Sequence, residues 1–196
     1  MEAHEKLEQA ESAEHAGGVN KQIALMIAIM ALFLAFSETL GKSANTEAIT
    51  LNIKASDTWS FFQAKTIRRT FVQGMADEMK VEALGARDNI VKAAMTKQID
   101  DWQKTAARYR SEPDTQEGSE ELMKRAQAAE HDRDTALARY HNYEYASAAF
   151  QIGIVLCSAA VITSMFLLVW VAGGVAVLGL AFTALGLFAP HALHFG

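Results

Sequence analysis

From Tyr145 to Gly196 the chain carries no Asp, Glu, Lys or Arg, although 21% of all residues are charged. A bilayer crossing takes about 20 consecutive apolar residues. The stretch AFQIGIVLCSAAVITSMFLLVWVAGGVAVLGLAFTALGLFAP is long enough for two crossings. A third apolar run, IALMIAIMALFLAF at 23–36, lies near the other end. Apolar and polar residues are thus segregated along the chain rather than alternating as in a soluble core. The pattern predicts an all-α integral membrane protein with three transmembrane helices. A helical extramembrane domain, built as a bundle or coiled-coil-like unit, separates the first two spans.

The expected divisions are an acidic tail (1–20), a first span (21–42), a polar helical domain (43–145), spans at 146–164 and 167–190, and a short end (191–196). Lys21 and Lys42 bracket the first span. They are separated by about 32 Å of helix at 1.5 Å per residue, close to the hydrocarbon thickness, and both ammonium groups can reach the interface. The acidic tail before this run lacks the basic start of a signal peptide, so the run reads as a retained span. The last two spans separate near Thr163-Ser164-Met165, which fits bilayer thickness better than a break at Gly173-Gly174.

Lipid tails give apolar side chains no reason to leave them, so membrane helices associate through small residues that let backbones approach. Ala24, Ala28, Ala31 and Ala35 recur at spacings of 4, 3 and 4, and Glu38 takes the next position. Ala172, Ala176, Gly179, Thr183 and Gly186 repeat the rhythm in the last span and lead to Pro190. A looser version runs through Ala146, Ala149, Gly153, Ala160 and Thr163. These are packing seams, either within one chain or between chains. Glu38 carries two readings: an interfacial carboxylate paired with Lys42 one turn on, or one member of a carboxylate ring at the mouth of an oligomeric pore.

The middle segment, 41–145, holds 17 acidic and 16 basic residues. Without a basic patch, nucleic-acid binding has no electrostatic footing. Ser111-Glu112-Pro113-Asp114 is its clearest turn, and Ser119 followed by Glu120 and Glu121 starts a new helix, with Ser119 as its cap. Residues 44–110 as one helix would far outreach 119–146, so a bend is expected near Gly74 or Gly85.

The most distinctive run is Lys54-Ala-Ser-Asp57-Thr-Trp59-Ser-Phe61-Phe62-Gln63-Ala-Lys65. KASDTWSFFQAKTIRR, preceded by SANTEAI and followed by FQIGIVLCSAAVIT, resembles a bacterial family of small membrane proteins catalogued only as a domain of unknown function. The resemblance covers nearly the whole chain. It implies a first span, a (K/E)ASD-x-W-x-(F/Y)(F/Y)QAK motif, a charged helical middle and a closing pair of spans, and it implies no activity. Family members carry Arg or Lys between the last two spans, where this chain has Thr163-Ser164-Met165. Read from the residues, Trp59, Phe62 and Lys65 pack or snorkel on a helix leaving the membrane, with Asp57 solvated. The alternative is a partner surface made of Asp57, Trp59, Phe62 and Lys65, since aromatics beside charges make good anchors.

Catalytic signatures are absent from the sequence. Gly41-Lys42-Ser43 ends like a phosphate-binding loop, but the earlier glycine position is Phe36. Cys157 is the single cysteine, so no disulfide forms within a chain. His191 and His194 are three apart at the C-terminal end; a free terminus explains them better than a metal site. No enzyme activity and no cofactor are expected. The expected partners are membrane lipid, further copies of the chain and a protein partner of unknown identity. The expected function is that of a homo-oligomeric protein of the bacterial inner membrane, acting structurally or by partner binding through the helical domain. The alternative is an oligomeric ion channel or transporter with Glu38 near the pore. The middle segment holds 16 of the 18 basic residues, which points to the cytoplasm, whereas the basic hinge of the family it resembles implies a periplasmic helical domain, the placement expected here.

Overall fold

The computed structural model describes the backbone of residues 2–192 and the side chains of residues 20–192. Expectations about the acidic tail before residue 20, and about His194, fall outside the described side chains. All regular structure among the described residues is helical: α1 (Glu2–Gly85), α2 (Asn89–Arg110), α3 (Ser119–Thr163) and α4 (Phe166–Phe188). Three of the four, α1, α3 and α4, contain stretches long and apolar enough to cross a membrane.

By their internal contacts the residues group into two compact units. The first comprises 1–47 and 134–196, and the second comprises 48–133.

In the first unit, parts of α1 and α3 pack with α4 around Ile23, Met30, Ala146, Phe150, Cys157 and Ala172. The rings of Phe33 and Phe150 stack at 5.8 Å. The α4 seam lies inside this packing: Ala172, Gly179, Thr183 and Gly186 are buried. Its glycines receive rings from α3. A Cβ on Gly179 would stand 2.9 Å from the Phe150 ring, and one on Gly186 would stand 2.6 Å from the Tyr143 ring. Small residues are needed here because large ones already fill the space. Ala146, Gly153 and Ala160 of α3 are buried as well, whereas Thr163 is exposed and donates to the Ala159 carbonyl.

The link between α3 and α4 is Ser164-Met165, and Ser164 sits at φ 56°. One left-handed residue turns the chain within two positions. Beyond α4, a turn returns the chain to α3: Asn142 donates to the Pro190 carbonyl at 3.1 Å, and Thr135 and His191 meet at 3.0 Å.

The second unit is built from three helices. α1 runs unbroken through Gly74 and ends at Gly85, so of the two expected bends only the latter is a helix end. Arg87 and the N-cap Asp88 follow, and the Asp88 carboxylate accepts from the Ile90 amide at 2.7 Å.

The inward face of α1 repeats every seven residues. Ile23, Met30, Ser37, Ala44, Thr58 and Lys65 are buried, and Leu51 between them is half-buried. A seven-residue repeat holds one helical face against its neighbours. Three of these seven residues, Ile23, Met30 and Leu51, are large and apolar, so the repeat is set by spacing more than by hydrophobicity.

Candidate functional site

The densest polar cluster lies in the second unit, where the loop between α2 and α3 closes over α1. Lys65 is 7% exposed. Its ammonium lies 3.6 Å from Glu112 Oε2 and 3.7 Å from Glu117 Oε2. It also lies 5.5 Å from the Phe61 ring centre and 5.4 Å from that of Tyr109. A buried ammonium without partners is strongly unfavourable. Two carboxylates and two ring faces offset that cost here.

The loop is fastened at its stem. Ser111 Oγ donates to Glu121 Oε1 at 2.7 Å, and the Glu112 amide donates to Glu121 Oε2 at 3.2 Å. The Ser111 bond, more than any other contact, holds the Glu121 carboxyl below the usual carboxylate range. Arg110 Nε donates to Glu120 Oε1 at 2.8 Å. The chain must pass closely at Gly118: a Cβ there would collide with the Glu121 carboxylate, the Glu112 nitrogen and Ser111 Cα. Gln116 turns the loop at φ 58°.

Ser119 begins α3, but its hydroxyl does not cap that helix. It donates to the Arg110 carbonyl at 3.2 Å and takes a long 3.5 Å bond from Arg69 Nη1. Tying α2 to α3 displaces the expected capping role.

The sequence-derived partner surface separates into different environments. Lys65 is buried in the clamp. Trp59 is half-buried and donates Nε1–H to Glu130 Oε1 at 2.9 Å, with Phe62 edge-on at 5.3 Å. Asp57 is exposed. Trp59 and Lys65 thus make contacts within the chain, to α3 and to the α2–α3 loop. Thr66 Oγ1 and Arg69 Nε, beside the clamp, are buried without a hydrogen-bond partner.

The candidate interface residues divide in a similar way. Ala172, Ala176, Gly179, Thr183 and Gly186 meet neighbours within the chain. Ala24, Ala28, Ala31, Ala35 and Glu38 are all exposed. At about 100° per residue, their line sits roughly a quarter-turn from the buried face of α1. What sequence reasoning missed is the buried line through Ile23, Met30 and Ser37. Its seven-residue spacing was the available signal, masked by mixed chemistry.

No group of three or more His, Cys, Asp or Glu side chains suited to a metal ion occurs among the described residues. In the clamp Lys65 meets two carboxylates, and Arg108 Nε lies 3.5 Å from Glu112 Oε1, so the arrangement holds the loop to α1 and α2.

Residues 19–189 match the model of a domain of unknown function, DUF4337. The chain belongs to the DUF4337 family. No curated protein and no solved structure matches it. The family match covers the three long apolar stretches of this DUF4337 protein, its clamp and the Lys54–Lys65 run alike.

Proposed function

We propose that this chain is a homo-oligomeric protein of the bacterial inner membrane whose helical extramembrane unit has a structural or partner-binding role, without enzyme activity. One observation carries the reading. The small-residue seam of α4 is occupied within the chain, while the equally regular seam of α1, Ala24 to Ala35, faces outward. Small residues on a lipid-facing helix surface favour close approach of another helix. The proposed placement of the extramembrane unit is the periplasm.

The native mass of the detergent-extracted protein tests this. A defined oligomer is expected, and replacing Ala28 and Ala31 together by Leu should shift it toward monomer. A monomeric wild type would overturn the proposal.

A second reading rests on Glu38, exposed at the end of that same line. In an oligomer joined through the alanines, several Glu38 carboxylates would approach one axis and line a cation path. Liposomes containing the protein should then pass cations, and Glu38→Gln should change the flux. Absence of flux would eliminate this reading while leaving the first intact.

A further inference from the structure

A helix face turned to water usually carries charge, yet one outer face of α1 in the second unit does not. Stepping alternately by 4 and 3 residues from Ile49 reaches Gly74 without meeting a charged residue, and every position on the way is exposed. Ile49, Ile53 and Ile67 are 55%, 56% and 68% exposed. Steps of 4 and 3 keep a line of side chains on one face, the geometry of a helix–helix seam.

Two polar members of this face, Ser60 and Thr70, are already turned inward. Ser60 Oγ donates to the Ser56 carbonyl at 2.9 Å, and Thr70 Oγ1 donates to the Thr66 carbonyl at 3.0 Å. Their hydroxyl protons would keep those partners if another helix covered the face, and the Gln63 amides of two copies, brought together on the same line, can bond each other. Serine and threonine here behave as small, nearly apolar residues.

We propose that this face of α1, from Ile49 to Gly74, is a seam along which a second copy of the chain pairs in parallel. The proposal rests on the homo-oligomer reading and names the surface and its occupant. Copies inserted in one membrane share one topology, so their α1 helices run in the same direction. A symmetric parallel pair sets each residue against its own counterpart, so any charge in the line would meet a like charge. The uncharged line avoids this. The neighbouring line through Asp57 and Glu78 would bring carboxylates together and is disfavoured. The favoured line ends at Gly74, since its next position is the exposed Asp77.

Size supports a pair held in a membrane. From Ile49 to Gly74 the seam spans about 38 Å of helix roughly 10 Å wide. That gives about 750 Å² over both copies, less than a specific interface between free proteins buries. Confinement to one bilayer raises the effective concentration enough for such a seam to close.

The test uses the full chain in membranes, with Cys157 replaced by Ala and single cysteines introduced along 56–70. Oxidation with copper phenanthroline should give dimer cross-links peaking at Ser60→Cys and Ile67→Cys. Yields should be low for Arg68→Cys and for Gln127→Cys on α3. Separately, Ile67→Glu should lower the dimer fraction at least tenfold with helix content unchanged, since Ile67 is exposed within one chain. A flat cross-linking profile, or a native mass indifferent to Ile67→Glu, would overturn the seam. If a defined oligomer persisted in that case, the homo-oligomer reading would survive with its contact elsewhere. A monomer throughout would overturn both. Cross-links at 60 and 67 to a different protein would overturn the choice of occupant.

Discussion

Ser37 of α1 and Thr183 of α4, 146 positions apart in sequence, bring their hydroxyls to 3.2 Å in a buried setting. Thr183 already donates its single proton to the Gly179 carbonyl at 2.9 Å, so Ser37 is the donor between them. The pair fixes the register of α4 against α1 where the remaining contacts are van der Waals. Interhelical hydrogen bonds in membranes contribute about 0.6 kcal/mol on average and up to about 1.7. Ser37→Ala should destabilise the bundle by about 1 kcal/mol, and the double variant with Thr183→Val should cost less than the sum of the two. Unfolding titrations of the purified protein measure both quantities. Strict additivity would show that the two hydroxyls do not interact.

The ring-into-glycine contacts give a larger effect. Gly179→Ala sets a methyl group 2.9 Å from the Phe150 ring, and Gly186→Ala sets one 2.6 Å from Tyr143. Overpacking of this kind costs about 1–3 kcal/mol. Phe150→Leu should recover part of the loss in Gly179→Ala and none in Gly186→Ala. Gly174→Ala, where a Cβ meets nothing within 4 Å, is the control and should be neutral. The same unfolding titration reads all four.

Removing the ammonium from the clamp should free the loop it holds. Lys65→Ala empties the space between Phe61 and Tyr109 and takes the ammonium from Glu112, which keeps Arg108 at 3.5 Å, and from the half-exposed Glu117. No charge is left buried and unpaired, so the loss should be about 1–2 kcal/mol, from lost packing and two partly exposed ion pairs. Limited proteolysis should then cut within 111–118, where the wild type resists. Lys65→Met, which restores volume without charge, should recover only part of the resistance.

Acid should loosen the stem of that loop through Glu121. Folding lowers the pKa of this carboxyl, so the folded state binds its proton less readily than the unfolded one. The contribution is therefore complete above the unfolded value, about 4.3. It fades as the pH falls through the lower folded value. The protection of the Glu112 amide from hydrogen exchange, taken relative to the intrinsic rate at each pH, should fall over that range in the wild type. In Glu121→Gln it should be low already at neutral pH and respond less to acid.

Ser164 holds a left-handed backbone in the two-residue link between α3 and α4. A β-branched side chain is poorly accommodated there. Ser164→Val should cost about 1–2 kcal/mol, and Ser164→Gly should be tolerated. Thermal aggregation of the two variants in detergent ranks them, and equal midpoints would show that the turn carries no strain.

The apolar stretches were legible in the sequence because lipid demands long uncharged helices, a constraint that leaves a plain mark. The seam of α4 was legible for a related reason: Phe150 and Tyr143 can approach only where side chains are small. The rhythm of Ala24 to Ala35 looked the same in sequence but faces outward, because periodicity reports a face and does not name what covers it. The inward face of α1 escaped notice since Ser37, Thr58 and Lys65 are poor markers of burial. Lys65 in particular is buried only because Glu112 and Glu117, far along the chain, arrive to meet it. A capping serine was the natural reading of Ser119, and a long-range bond to Arg110 overrode the local preference.

The inward line of α1 also restricts how such a chain can change in length. Adding seven residues between Thr58 and Lys65 would preserve the facing of both. One, two or five residues would swing Lys65 away from the carboxylates that receive it. Relatives should therefore differ here by seven or eleven residues, the steps that return the same face, as a ratchet advances only by complete teeth. Such a step would require a matching change in α3, where Glu130 meets Trp59.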